Sequence, residues 1–223
     1  MKKTLLSKNI NICIDLDDTL YNEIDYVLSG YNDYIKNNHK NKIKFKLRKN
    51  EIFKNLSNHI DIFQKKNNLP LNEKLNVIKT IRLSKEKIFI NKKVIKKILT
   101  LKKYFKKVCI YTNGRSVTQR NKIKRLGLDK LFDKIFISDE MKFKKPDLNY
   151  FLSIENYFNS QKIIFIGNNY KIDLKIPIKR DHKTIYIQNN QELRRRPIKN
   201  NKADLIYKNF KDINIYEIMK LFQ

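Results

Sequence analysis

The sequence predicts an α/β fold: a doubly wound, mainly parallel sheet joined to a small helical cap domain. Three observations carry that expectation. Short, near-continuous apolar runs recur along the chain. Stretches of helical periodicity separate them. One long interval, residues 21–100, shows helical spacing only. A strand buried on both faces reads as an unbroken Val/Ile-rich run, because neither face meets solvent. Helical segments between successive runs of this kind are the pattern of a parallel sheet covered on both sides.

Residues 9–16 read as the first strand and residues 107–112 (KVCIYT) as the second. Residues 134–138, 162–166 (KIIFI) and 184–187 follow, with a weaker sixth run at 203–206. Between them, a helix over 117–126 ends at Gly127, a residue suited to the left-handed turn that closes helices. Another over 148–158 starts just after Pro146, which is pre-set for a first helical turn. In the long interval, Ile24, Val27, Leu28, Tyr31 and Ile35 share one helical face. Ile52, Phe53, Leu56, Ile60 and Phe63 make a second such set, and Leu71, Leu75, Ile78 and Arg82 a third. An interval of this length exceeds a simple crossover between strands. The expected organisation is therefore a core of residues 1–20 and 101–223 with a cap of residues 21–100.

Composition narrows the function classes. Of 223 residues, 41% are hydrophobic, enough for a packed core and too many for a disordered chain. Lys and Arg number 50 against 22 Asp and Glu, a formal net charge of +28. A nucleic-acid binder concentrates such charge in a stripe or tail. Here lysines are spread over all segments, and abundant Lys, Asn and Ile beside scarce Gly, Pro and Ala indicate codon bias instead. Nucleic acid is not the expected partner. Attraction of anionic phosphates into a cleft is. Cys13 and Cys109 lie in strand-like runs and read as buried free thiols of a reducing compartment. No signal-peptide core follows Met1, and no run reaches the roughly 18 apolar residues of a membrane span. A soluble, cytoplasmic protein is expected.

The chemistry-bearing residues sit at strand ends. Asp15-Leu16-Asp17-Asp18-Thr19-Leu20 closes the first strand, where open α/β sheets place their sites. Two carboxylates at i and i+2 can face one crevice, one attacking a phosphorus and the other moving a proton. Such a pair needs a cation, and oxygen ligands with a phosphate substrate point to Mg²⁺. Thr112-Asn113-Gly114-Arg115 leaves the second strand with a hydroxyl, an amide and an exposed backbone N–H able to grip phosphate oxygens. Lys145, fixed ahead of Pro146, can neutralise nucleophile and phosphate. Asn168 and Asp173, in Gly167-Asn168-Asn169-Tyr170-Lys171-Ile172-Asp173 after the fourth strand, can reach the same cation. Tyr21, Asp25 and Tyr26 begin the cap as candidates for substrate contact, with packing the favoured role for the aromatics. Arg194-Arg195-Arg196-Pro197 reads as a solvated loop. Gly114, Gly127 and Gly167 fall at structural landmarks, whereas Gly30, inside a predicted helix, has no role that the sequence explains.

In order, spacing and placement these stretches resemble the haloacid dehalogenase superfamily over most of residues 9–210. DLDDT matches its first motif, Thr112-Asn113 its second, Lys145 its third and GNNYKID its fourth, usually written GDxxxxD. TNGRSVTQRNKIKRLGL and SDEMKFKKPDLNYF are similar to a bacterial subgroup whose helical cap follows the first motif. The resemblance implies a Rossmann-like core, Asp15 as nucleophile, Asp17 as acid/base and Lys145 as the catalytic cation. It further implies phosphate binding by Thr112, Asn113, Gly114 and Lys145, and magnesium held by Asp15, Asp17, Asn168 and Asp173. The substrate it implies is a small phosphorylated metabolite, a sugar phosphate or nucleoside monophosphate. Asp17 argues for phosphate chemistry over dehalogenation, which needs no acid for a leaving alcohol. The departure is Asn168, where the family has Asp. An amide oxygen ligates Mg²⁺ without bringing charge, so a weakened or purely phosphate-binding member is the alternative reading.

Overall fold

In the computed structural model, which describes residues 9–38, 43–55, 58–159, 162–188 and 202–222, six parallel strands form one sheet. They are β1 (Asn11–Ile14), β2 (Lys107–Thr112), β3 (Lys134–Ile137), β4 (Ile163–Gly167), β5 (Lys183–Ile187) and β6 (Leu205–Tyr207). Their order is β3-β2-β1-β4-β5-β6. β1 pairs with both β2 and β4, Cys13 facing Cys109 on one side and Phe165 on the other. From β1 the chain builds outward in both directions, so the strand order reverses there, and a crevice opens beyond its carboxyl end. All six apolar runs became strands.

Alternation along the strands sorts the core into two layers. Ile12, Ile14, Val108, Ile110, Ile164, Ile166, Ile185 and Ile187 form an aliphatic layer continuous with the cap. Cys13, Cys109, Tyr111, Phe136, Phe165 and Tyr186 form an aromatic layer with Tyr150, Phe151, Ile154 and Phe158. Ring pairs such as Tyr111–Phe165 (centroids 5.3 Å apart, 74° between planes) meet edge to face, the favoured electrostatic arrangement. Both cysteines are buried and free.

Ten α-helices are described: α1 (Glu23–Asn37), α2 (Lys49–Lys54), α3 (His59–Lys66), α4 (Leu71–Leu83), α5 (Lys92–Tyr104), α6 (Ser116–Arg125), α7 (Ser138–Met141), α8 (Leu148–Phe158), α9 (Lys175–Lys179) and α10 (Ile215–Lys220). A π-type turn spans Tyr170–Leu174 and a 3₁₀ turn Phe210–Asp212. α6 ends as expected, with Gly127 at φ 67°. α8 starts at its expected residue, Asp147 capping the Asn149 N–H at 2.8 Å.

The long helical interval differs from expectation in three ways. The apolar set of residues 52–63 is split over α2 and α3, with residues 56–57 outside the described residues. In α4 the buried face is Val77 and Ile81, while Leu71 and Leu75 are 70% and 66% exposed. Helical spacing identified the helix, but the face that α1 covers was a matter of docking. α5 straddles the expected boundary at residue 100 and packs on β2 and the 3₁₀ turn. Gly30 acquires a reason here. A Cβ on it would lie 2.5 Å from the Cα of Ile81, so α1 and α4 cross where only glycine fits. Arg194 to Pro197 fall outside the described residues.

Candidate active site

Asp15 is the first residue beyond β1, still held to the sheet by its N–H donating to the Ile166 carbonyl at 2.8 Å. The chain then turns tightly: the Leu20 N–H returns to the Leu16 carbonyl at 3.0 Å, and Asp18 adopts the left-handed region at φ 58°. The Asp18 carboxylate accepts from the Glu23 N–H at 2.9 Å, tying the turn to the first residue of α1. Sheet and turn together aim Asp15 into the crevice.

Lys145 meets it there. Its Nζ donates to Asp15 Oδ1 at 2.6 Å, to Asp173 Oδ1 at 2.7 Å and to the Tyr111 carbonyl at 3.3 Å. It also lies 4.2 Å from the centre of the Tyr111 ring. Asp15, Lys145 and Asp173 are all buried, at 6%, 3% and 2% exposure. Burial, the largest influence, pushes the Asp15 carboxyl up, Lys145 pulls it down and Asp173 pushes it up again, leaving it raised to about 7. For Lys145, burial works against the charged form, but the two carboxylates outweigh it and its ammonium is held above its ordinary range. Asp173 is locked by the Asn169 N–H donating to its Oδ2 at 2.8 Å. A Cβ on Gly167 would come within 2.6 Å of the Asp173 Cβ, so glycine makes room for that carboxylate.

A side-chain clamp as well as the proline fixes Lys145. The Asn113 side chain grips its backbone from both sides, accepting from its N–H at 2.8 Å and donating to its carbonyl at 2.9 Å. The amide expected on phosphate is thus committed to Lys145. The Gly114 N–H, expected to face phosphate, donates to Ser138 Oγ at 2.9 Å. Thr112, directly at the β2 end, accepts from Gln119 Nε2 at 2.6 Å.

Asp17 stands apart from the ion-pair cluster. Its Oδ1 accepts from Tyr21 Oη at 2.6 Å and Lys122 Nζ at 2.8 Å, and its Oδ2 from Gln119 Nε2 at 2.9 Å. Burial is the largest influence and pushes its carboxyl up, but Lys122, Tyr21 and Gln119 together hold it below the ordinary carboxylate range. Gln119 and Lys122 were not singled out from sequence. The only available signal was two polar residues three apart on a helix after the second motif, and a lysine is inconspicuous in so basic a chain. Of the cap candidates, Tyr21 reaches Asp17, Tyr26 donates to the Arg82 carbonyl at 3.0 Å, and Asp25 pairs with Lys49 at 2.8 Å on the surface.

On the side of Asp15 away from Lys145, Thr19 Oγ1 lies 3.1 Å from Asp15 Oδ2 and 3.5 Å from Asn168 Oδ1. These oxygens are of the type magnesium prefers. No group of three His, Cys, Asp or Glu side chains suited to a metal is present among the described residues, because Asn168 supplies an amide and Asp17 turns toward α6. The donor chemistry fits a hard cation with a low count of free charge. A cavity of about 400 Å³ lies between α4 and α6, lined by residues that include Leu75, Ile78, Arg82, Arg115, Val117 and Thr118.

A family model described as haloacid dehalogenase-like hydrolase matches residues 12–187. Among solved structures, the HAD-family protein YfnB from Bacillus subtilis, bound to magnesium, is 15% identical with a TM-score of 0.69, covering 95% of this chain and 99% of that one. A HAD-superfamily hydrolase of subfamily IA from Geobacter sulfurreducens is 12% identical at TM-score 0.67, covering 97% and 98%. A HAD phosphatase from Thermococcus onnurineus is 19% identical at TM-score 0.58, covering 95% and 97%. Comparison with curated proteins gave no significant match. The similarity in sequence spans the strands that carry every motif from Asp15 to Asp173, and the chain belongs to the haloacid dehalogenase-like hydrolases.

Proposed function

We propose that the chain is a Mg²⁺-dependent phosphatase acting on a small phosphorylated metabolite, a sugar phosphate or a nucleoside monophosphate, through a phosphoaspartyl intermediate on Asp15. The observation that carries this reading is the buried ion pair of Asp15 with Lys145 at the carboxyl end of β1. A carboxyl group beside a fixed ammonium, at the switch point of the sheet, is a nucleophile whose position is set before substrate arrives. Likeness to a HAD phosphatase and to a magnesium-bound HAD protein supports it.

In the first step an Asp15 oxygen attacks phosphorus in line, the bond to the leaving oxygen breaks, and Asp17 gives that oxygen its proton. In the second, water attacks the phosphorus, its proton passes to Asp17, and the bond to Asp15 breaks to release phosphate. Lys122 keeps Asp17 ionised in the resting arrangement. Entry of the negatively charged phosphate raises its proton affinity, because a like charge disfavours the carboxylate, and Asp17 takes up the proton it later donates from solvent or from the substrate monoanion before the first step. Thr112 and Lys145 hold the equatorial oxygens, and Asn113 acts through Lys145, whose backbone it clamps. Asp15 and Asn168 would hold magnesium, with Asp17 and Asp173 adding charge nearby, and the cation supplies neutralisation of the transferring group.

Replacing Asp15 by Asn is expected to abolish Mg²⁺-dependent turnover of p-nitrophenyl phosphate in a protein that still folds. Retained turnover would rule out this nucleophile. Asn168 favours a second reading, a phosphate-binding member with little turnover. A native protein that binds phosphate but hydrolyses nothing in that assay would select it.

A further inference from the structure

Two buried polar side chains form no bond and carry no proton in the two steps above. Gln119 and Lys122, 1% and 4% exposed, lie three residues apart on α6 and so point to the same side of the helix. Gln119 Nε2 reaches Asp17 Oδ2 at 2.9 Å, Thr112 Oγ1 at 2.6 Å and the Asn113 carbonyl at 3.0 Å. Lys122 Nζ reaches Asp17 Oδ1 at 2.8 Å and Glu23 Oε1 at 3.1 Å, and lies 4.8 Å from the centre of the Tyr26 ring. Burying an amide and an ammonium is unfavourable unless each finds partners. Here the partners are the first motif, the second motif and the first turn of the cap. The backbone is shaped for it as well: Gly114 sits at φ 143°, and a Cβ there would come within 3.0 Å of the Gln119 side chain.

The geometry points to Gln119 and Lys122 as positioning residues that hold the Asp17 carboxylate at a fixed distance from the Thr112 loop, so that proton delivery and phosphate grip are set by one helix. The inference rests on the phosphatase reading, in which Asp17 protonates the leaving oxygen. Neither residue touches the reacting atoms. Each fixes one of the two Asp17 oxygens, which leaves the carboxylate no rotational freedom. Displacement of a reacting group by about 1 Å is enough to lower a rate about 100-fold.

The test is the single-turnover rate of phosphoryl transfer to Asp15 in the full chain with Mg²⁺. It compares phenyl phosphate, whose leaving oxygen needs a proton, with dinitrophenyl phosphate, whose leaving group departs without one. Asp17→Asn is expected to slow the first by about 100-fold and the second by less than about 5-fold, the range of one lost general acid. Gln119→Leu is expected to show the same asymmetry at about 10-fold against less than about 3-fold, with little change in KM. Lys122→Arg, which keeps the charge, is expected to retain more of the phenyl phosphate rate than Lys122→Met. If Lys122→Met fails to fold, Gln119→Leu and Lys122→Arg decide. Equal losses on both substrates, or none, in Gln119→Leu, or equal losses on both in Lys122→Arg, beside an asymmetric Asp17→Asn would overturn the positioning role alone. A symmetric Asp17→Asn would remove the acid role of Asp17 and the positioning role with it.

Discussion

Asp15, Lys145 and Asp173 place two carboxylates around one ammonium, and all three are out of water. Such a cluster carries one excess negative charge, which a cation on the far side of Asp15 would balance. At that point the chain offers Asn168, a neutral donor. Hard-cation sites are tuned by the charge of their ligands. Asn168→Asp is therefore expected to lower the Mg²⁺ concentration for half-maximal rate by about tenfold. A magnesium titration of initial rates checks this, and an unchanged midpoint would take Asn168 out of the ligand set. Asp15 and Lys145 were legible from sequence because a strand end and a proline give their positions away. The double grip of Asn113 on the Lys145 backbone was not, since it joins residues 32 apart through groups that any turn possesses.

Between elements, α1 and α4 cross at close range. Gly30 lies against the backbone of Ile81, and a backbone cannot move aside as a flexible side chain would. Gly30→Ala is expected to destabilise the protein by about 1–3 kcal/mol, the usual range for overpacking, despite the better helix propensity of alanine. A shift of the urea unfolding midpoint measures it, and a native or higher midpoint would show that the helices separate at no cost. α6 is the matching element on the core side. Asn121 donates to the Arg82 and Ser84 carbonyls at 3.0 and 3.1 Å, and Arg125 Nη2 to Ser29 Oγ at 2.6 Å. One short helix thus meets both α1 and the end of α4.

For the whole molecule, pH acts through a buried carboxylate remote from the crevice. Glu155 of α8 takes a forked pair of bonds from Arg180, at 2.5 and 2.6 Å, and a third contact with His182 at 2.8 Å. Burial is the largest influence and works against its charge, but Arg180 and His182 outweigh it and the carboxyl is held below its ordinary value. A depressed carboxyl stabilises the fold above the unfolded value, about 4.3, and loses that contribution as pH falls through the folded one. Glu155→Gln should therefore lower Tm at pH 7, with the gap closing below about pH 4. A gap that is constant with pH would mean that the lost contacts, and not the charge, matter. No described helix is long and apolar enough to cross a membrane.

The amino-acid sequence by itself determined the sheet, its parallel sense, the helical interval and the identity of the strand-end residues. These follow from local period and from which residue types close a strand, and both are written in consecutive positions. Only the tertiary structure decided which face of α4 is buried, that Gly30 marks a helix crossing, and that Asp17 is held by Gln119 and Lys122 about a hundred residues away. A buried polar side chain is defined by its partners. Those partners are assembled by the docking of α6 between cap and core, for which one-dimensional spacing carries no signal.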